Sequence, residues 1–247
     1  MNRPWSWILS ILAIAVLVAI GLFSGRFMVY LLMRVMILSI FAMGYNLLLG
    51  RTGLLSFGHA AFYAGGAYGL GLFSLHIHPH PLLGILVGVL MAIVLALIIG
   101  FFCVRHTEIY FAMLTLAFGM MVFSLIWNLR SITGGDDGLI GIMREPINLG
   151  VVSLPLLKTE HYYFLVLFCL IVTAFLIRLI RNSPFGLVLS GIRENDRRVE
   201  FAGLSVKNYR LAAFVLSGTF AGLAGALGAL LESNTDPFSA HWSHSAE

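Results

Sequence analysis

Apolar residues run in long, nearly unbroken blocks along this chain. They show neither the alternation of a strand nor the one-sided stripe of a soluble helix. The blocks lie at 5–23, 27–49, 54–75, 81–103, 110–127, 161–178 and 210–231, separated by stretches of a few residues except for two long ones at 128–160 and 179–209. A bilayer core about 30 Å thick is crossed by about 20 helical residues, a length that each block approaches. Membrane barrel strands would instead alternate over about 10 residues. The pattern predicts an all-α, polytopic transmembrane helical bundle with at least seven apolar spans, forming one membrane-embedded domain over 1–247. The first block follows Arg3. Its apolar core is longer than the roughly 7–15 residues of a signal-peptide core, and it reads as a retained span.

Composition sharpens this reading. The chain is 60% hydrophobic and 11% charged, with a mean hydropathy of +0.96, whereas soluble domains carry about 25% charged residues. The few charges set an orientation. With the N-terminus in the cytoplasm, ten cations fall on the cytoplasmic side (Arg3, Arg51, Arg105, Arg178, Arg181, Arg193, Arg197, Arg198, Lys207 and Arg210). Four fall opposite (Arg26, Arg130, Arg144 and Lys158), and Arg34 lies inside a span. The excess of Lys and Arg on cytoplasmic loops favours this arrangement. Cys103 and Cys169 sit in or beside apolar blocks without a C-x-x-C partner and read as small buried hydrophobes.

One stretch breaks the pattern. "GIRENDRRVEFAGLSVKNYR" (191–210) gathers eight of the 26 charged residues in 247. Ser183-Pro184 reads as an N-cap with proline at the first helical position. Phe185, Leu189 and Ile192 then share one helical face. Asn195 or Asp196 can cap a second short helix that Gly203 ends at its C′ position, and Ser205 can start the next. Val199, Phe201, Ala202 and Leu204 interrupt the charges. A loop that only fixed topology would need no such apolar ridge, whereas a docking surface for a cytoplasmic protein would.

Glycine marks two other stretches. "TGLLSFGHAAFYAGGAYGLGLF" (52–73) and "LSGTFAGLAGALGAL" (216–230) space small residues three and four apart, which lets helix backbones approach closely in lipid. Packing alone accounts for the second. Around 50–59, however, Gly50, Gly53 and Gly58 with Thr52, Ser56 and His59 make a poor continuous helix. A broken or re-entrant segment is expected there, of the kind that lines a water-filled cavity. Gly53, Ser56, Gly58 and His59 are the candidate residues of a translocation path. His59 also fits a purely structural histidine bonded inside the bundle. His76, His78 and His80 alternate through a short turn, and nothing nearby in sequence completes a metal site.

Several activities lack their residues. The eleven acidic residues all fall outside or at the ends of the blocks, where ion-coupled carriers commonly keep carboxylates inside the membrane. No G-x-x-x-x-G-K-[ST] phosphate loop, H-E-x-x-H or G-x-S-x-G is present. The chain reads as a non-enzyme whose energy source, if transport is driven, is not on this chain.

Three segments in order carry a family resemblance. "GYNLLLGRTGLLSFGHAAFYAGGAYG" (44–69), "TGGDDGL" (133–139) and "SPFGLVLSGIRENDRRVEFAGLSVKNYRLAAFVLSGTFAGLAGAL" (183–227) resemble the permease subunits of branched-chain amino-acid ABC importers, in particular the longer of their two permease types. The last segment is similar to the family's S-P-F-G-R-A-L-x-A-I-R-E-x-E coupling loop. The resemblance implies a permease that forms the translocation path for branched-chain or related amino acids in a bacterial inner membrane. It implies as partners a second homologous permease subunit, two cytoplasmic ATPase subunits, a periplasmic or extracellular substrate-binding protein and the surrounding lipid, with no nucleic acid. ATP and Mg would be held by the ATPases, with no cofactor on this chain. Residues 183–208 would form the coupling loop, with Arg193, Glu194, Glu200, Ala202 and Gly203 as its ATPase-coupling residues. Urea, amide and small carboxylate substrates are served by similar permeases, and an ion-coupled secondary carrier is the alternative of another class. Two departures stand out. Arg51-Thr52 replaces residues that are more often uncharged, and relatives continue beyond "SHSAE" with further spans, so the expectation is either a truncation at Glu247 or a protein without those last helices.

Overall fold

A computed structural model describes residues 4–106, 108–145, 147–148, 153–154 and 159–245. Helices dominate: α1 (Pro4–Phe23), α2 (Arg26–Thr52), α3 (His59–His76), α4 (Pro81–Cys103), α5 (Glu108–Asn128), α6 (Arg130–Thr133), α7 (Thr159–Asn182), α8 (Pro184–Glu194), α9 (Asp196–Phe201) and α10 (Val206–Glu232). Four two-residue strands, β1 (Leu139–Ile140), β2 (Ile147–Asn148), β3 (Ser153–Leu154) and β4 (Asn234–Thr235), pair antiparallel as β1–β4 and β2–β3. The fold is the expected all-α polytopic bundle. Among the described residues, five helices are long and apolar enough to cross a bilayer: α2, α4, α5, α7 and α10. The block at 54–75 becomes a helix only from His59, because Gly53 ends α2 in the left-handed region (φ 75°) and the chain stays non-helical until Gly58. At the other end of α3, His80 caps α4, its ring accepting from the Leu83 N–H, with Pro81 at the first helical position.

The core is organised around α10. Of its most apolar window 78% is buried, against 22–39% for the other four long helices, so α10 is the axis and the others present a face to lipid. The glycines explain how it is enclosed. A Cβ on Gly66 of α3 would run into the Gly222 carbonyl of α10, and one on Gly88 of α4 into the Gly66 carbonyl. Three helices therefore meet at backbone contact, where van der Waals packing replaces the hydrophobic effect as the cohesive force.

The end of α10 is held by the segment that the sequence marks as "TGGDDGL". Gly134, Gly135 and Gly138 all take positive φ, and β1 pairs with β4 just beyond α10. Arg144 then donates to the Leu230 and Leu231 carbonyls while its guanidinium lies 4.6 Å from the Tyr162 ring centroid. The Tyr162 hydroxyl in turn donates to the Leu227 carbonyl. A cation thus satisfies the orphan carbonyls at the negative end of the α10 dipole. Beyond β4 the chain folds back along α3 and α5. Asp236 caps a 3₁₀ turn at Pro237–Ala240, and the Ser245 hydroxyl accepts from the Ala60 N–H at 2.7 Å. Arg144→Gln should lower the folding stability of the purified protein by about 2 kcal/mol. Tyr162→Phe, which loses one hydroxyl bond, should cost about 1 kcal/mol. Thermal unfolding in detergent checks both, and equal midpoints for Arg144→Gln and wild type would contradict the clasp.

Candidate functional site

Residues 183–205 fold into two short helices at the end of the bundle opposite Arg144. Ser183 accepts from the Gly186 N–H, and Pro184 opens α8. Gly186 is glycine for a steric reason: a Cβ there would clash with the carbonyls of Ile180 and Arg181, so only glycine lets α8 turn back tightly on α7. Leu189 and Ile192 are buried, and Phe185 stacks on Tyr209 at 5.7 Å, which is the face read from the sequence. Asn195, not Asp196, caps α9 by accepting from the Arg198 N–H at 3.1 Å. Asp196 instead pairs with Arg210 at 3.2 Å, tying α9 to the first turns of α10. Gly203 has φ 81°, and its N–H donates to the Glu200 carbonyl, ending α9 as its position predicts. Ser205 stands at the N-cap of α10 without a side-chain bond.

This unit grips the end of α2. Arg193 donates to the Gly50 carbonyl at 2.7 Å, and Arg51 donates to the Ser190 hydroxyl at 2.9 Å. The unusual Arg51 is therefore a tether between α2 and α8. Thr52, Gly53 and Leu54 line a cavity of about 290 Å³ together with Arg193, Asp196 and Arg210. Of the expected coupling residues, Arg193 points back to α2, whereas Glu194, Glu200, Ala202 and Gly203 are exposed. Phe201, a large apolar side chain, is 91% exposed beside a second cavity of about 330 Å³ lined by Val188, Val199, Ala202 and Leu204.

The break at 53–58 lies against α5 and inside the bundle. Hydroxyls take up its backbone donors: Leu54 N–H donates to Thr52, Gly58 N–H to Ser56 and Phe57 N–H to Thr115. His59 is held from both sides, with Nδ1 2.9 Å from the Ser56 hydroxyl and Nε2 2.8 Å from the Ser217 hydroxyl. Ser217 spends its one proton on the Gly44 carbonyl at 2.7 Å. Donor counting then puts the ring proton on Nε2 and makes Nδ1 the acceptor from Ser56. The rings of Phe41, Tyr45, Phe62 and Phe214 meet the imidazole edge-to-face at 4.9–6.5 Å between centroids. Ser56 and His59 are 0% exposed, and of the four expected path residues only Gly53 lines one of the cavities described here.

Sequence reasoning missed the partner of His59, which lies 158 residues away. It missed the Arg144 clasp and the returning C-terminal segment as well. The Asp236-Pro237 pair is a helix-start signal that could have located the segment's first turn. Among the described residues no three His, Cys, Asp or Glu side chains gather to hold a metal ion.

Comparison with known proteins agrees with this architecture. The chain is similar to the high-affinity branched-chain amino acid transport system permease protein LivM of Escherichia coli (strain K12) and to the protein of the same name from Salmonella typhimurium (strain LT2). Each is 29% identical over 239 aligned residues, covering 85% of this chain and 54% of the relative. The chain thus spans about half the length of those relatives. No solved structure matches. The family model for the branched-chain amino acid transport system permease component matches residues 27–245, nearly the whole chain, and the protein belongs to that family.

Proposed function

We propose that this chain is a multi-pass permease subunit of an ATP-driven importer for branched-chain or related amino acids, seated in a bacterial inner membrane with its N-terminus in the cytoplasm. A second permease, two ATPases and a substrate-binding protein complete the importer. The observation that carries the reading is the 183–208 unit: it is capped, rigidly tied to α2 and α10, and leaves Phe201 bare. An apolar side chain standing free among charges suits a partner's pocket. Force on this unit would pass through Arg193 and Arg51 to the last turn of α2, and so to the break. The substrate path runs beside that break, with Gly53 at its inner mouth. Ser56 and His59 hold the break in place without touching substrate, since both are enclosed and hydrogen-bonded.

The carrier alternative has little to draw on. Among the described residues, the only carboxylates on the long helices are Glu108, Glu160 and Glu232, all at helix ends, and not at mid-span, where ion-coupled carriers commonly keep them.

Reconstitution with the partner subunits tests the assignment. Leucine uptake should require ATP and all partners, and uptake by this chain alone on an ion gradient would establish the carrier instead. Gly203→Trp should weaken ATPase co-purification and substrate-stimulated ATP turnover, because a side chain at φ 81° is strained by about 1–2 kcal/mol. Normal values for both would remove the docking role. A cysteine at Asn195 should react only with cytoplasmic reagents and one at Asp136 only from outside; the reverse would invert the orientation. His59→Leu should lower thermal stability and complex yield in step with uptake, by about 2–4 kcal/mol for the hydroxyls left without partners. Lost uptake in a fully stable complex would mean that His59 meets the substrate.

A further inference from the structure

Arg34 is the one charged residue well inside a long apolar helix among those described, eight residues beyond the start of α2. A guanidinium within a span is costly to insert and is as a rule found facing the bundle interior or a water-filled cavity. It is exposed to a cleft of about 270 Å³ between α2 and the end of α10, close to the lower bound of about 300 Å³ for ligand sites. Glu232, at the end of α10, and Asp236, just beyond β4, line the same cleft. Tyr63 of α3 also lines it. No ion pair closes across the cleft between Arg34 and either carboxylate. Leu38 and Phe238 add apolar wall. One cation and two anions, set apart around a small space that is mostly polar with a few apolar side chains in its wall, are the complement of a zwitterion with an aliphatic side chain.

We propose that this cleft is a binding station for the free amino acid, with Arg34 receiving the α-carboxylate through its two-pronged donor face and Glu232 and Asp236 receiving the α-ammonium. The assignment rests on the importer reading above and names where on this chain the substrate first lodges. In the proposed orientation the cleft opens in the half of the membrane from which substrate is delivered. The inner cavity at Gly53 lies at the opposite ends of α2 and α10. Substrate would therefore travel along the α2–α10 seam, past the break.

The test uses the complete importer in liposomes and a diazirine analogue of leucine as the probe, with crosslinked peptides mapped by mass spectrometry. Labelling should fall on the 34–38 or 228–239 segments and be competed by excess leucine, but not by its amine-free acid analogue. Arg34→Gln should cut both labelling and maximal uptake about tenfold or more, the expected effect of a lost charge-assisted pair. Arg34→Lys, which keeps the charge but not the fork, should recover part. Labelling confined to other segments, or unchanged uptake in Arg34→Gln, would overturn the site while leaving the importer reading standing. Labelling competed by phosphatidylethanolamine and not by leucine would overturn it too, assigning the cleft to a lipid headgroup. Should Arg34→Gln fail to assemble, the wild-type labelling map decides alone. A wild-type importer that moves no amino acid would remove the parent reading instead.

Discussion

Six residues of non-helical backbone, 53–58, interrupt the bundle, with Leu54, Ser56 and Gly58 buried in it and Gly53 and Leu55 exposed, and much of the chain is arranged around the need to satisfy them. In hydrocarbon each unpaired N–H or C=O costs several kcal/mol, so irregular backbone survives only where protein supplies partners. The partners here are hydroxyls. Thr52, Ser56 and Thr115 accept from the break itself, and Ser245 accepts from the first turn of the helix that follows it. His59 then joins the break to α10 through Ser217, and Ser217 joins α10 to α2 through Gly44. Three helices are locked at one level by a single chain of hydrogen bonds, ringed by aromatic side chains that keep it dry.

The same constraint gives the basic loop its leverage. Helix α2 ends at the break, and its last turn is the part of the bundle held by Arg193 and Arg51. A helix continuous through residue 58 would spread any displacement along its whole length. This one stops at Gly53, in a left-handed conformation. Arg210, largely buried and paired with the half-exposed Asp196, fixes the other side of the unit to the axial helix. Arg193, Arg51 and Arg210 thus tie the loop to α2 and α10 together, the two helices that flank both the cavity at Gly53 and the cleft at Arg34.

Close packing serves the break as well. Because Gly66, Gly88 and Gly222 bring α3, α4 and α10 to backbone contact, α3 can be short and still enclosed. Its 18 residues begin part-way through the bundle, leaving room for the break beneath it. The returning segment 237–245 fills the space beside α3 and α5, setting Phe238 and His241 against Phe123.

How much of this was legible in the residues depends on how far apart the partners lie. The blocks at 27–49, 81–103, 110–127, 161–178 and 210–231 became helices within a few residues of their expected bounds, because the insertion of a long apolar run depends on its own composition. The caps at Ser183 and Asn195 and the stop at Gly203 were equally local, since each is a bond or a dihedral within four residues. The break was visible as a cluster of glycine and hydroxyl residues over 50–59, and two of its glycines, Gly53 and Gly58, stand at its two ends. By itself, then, the sequence determined the bundle, the shape of the 183–208 unit and the family. Only the tertiary structure decided which hydroxyls face His59, that Arg51 and Arg193 clamp α2, that Arg144 caps α10, and that Arg34, Glu232 and Asp236 line one cleft. Those pairings join residues far apart in the chain, and no local periodicity encodes which distant side chain will fill a given hydrogen bond.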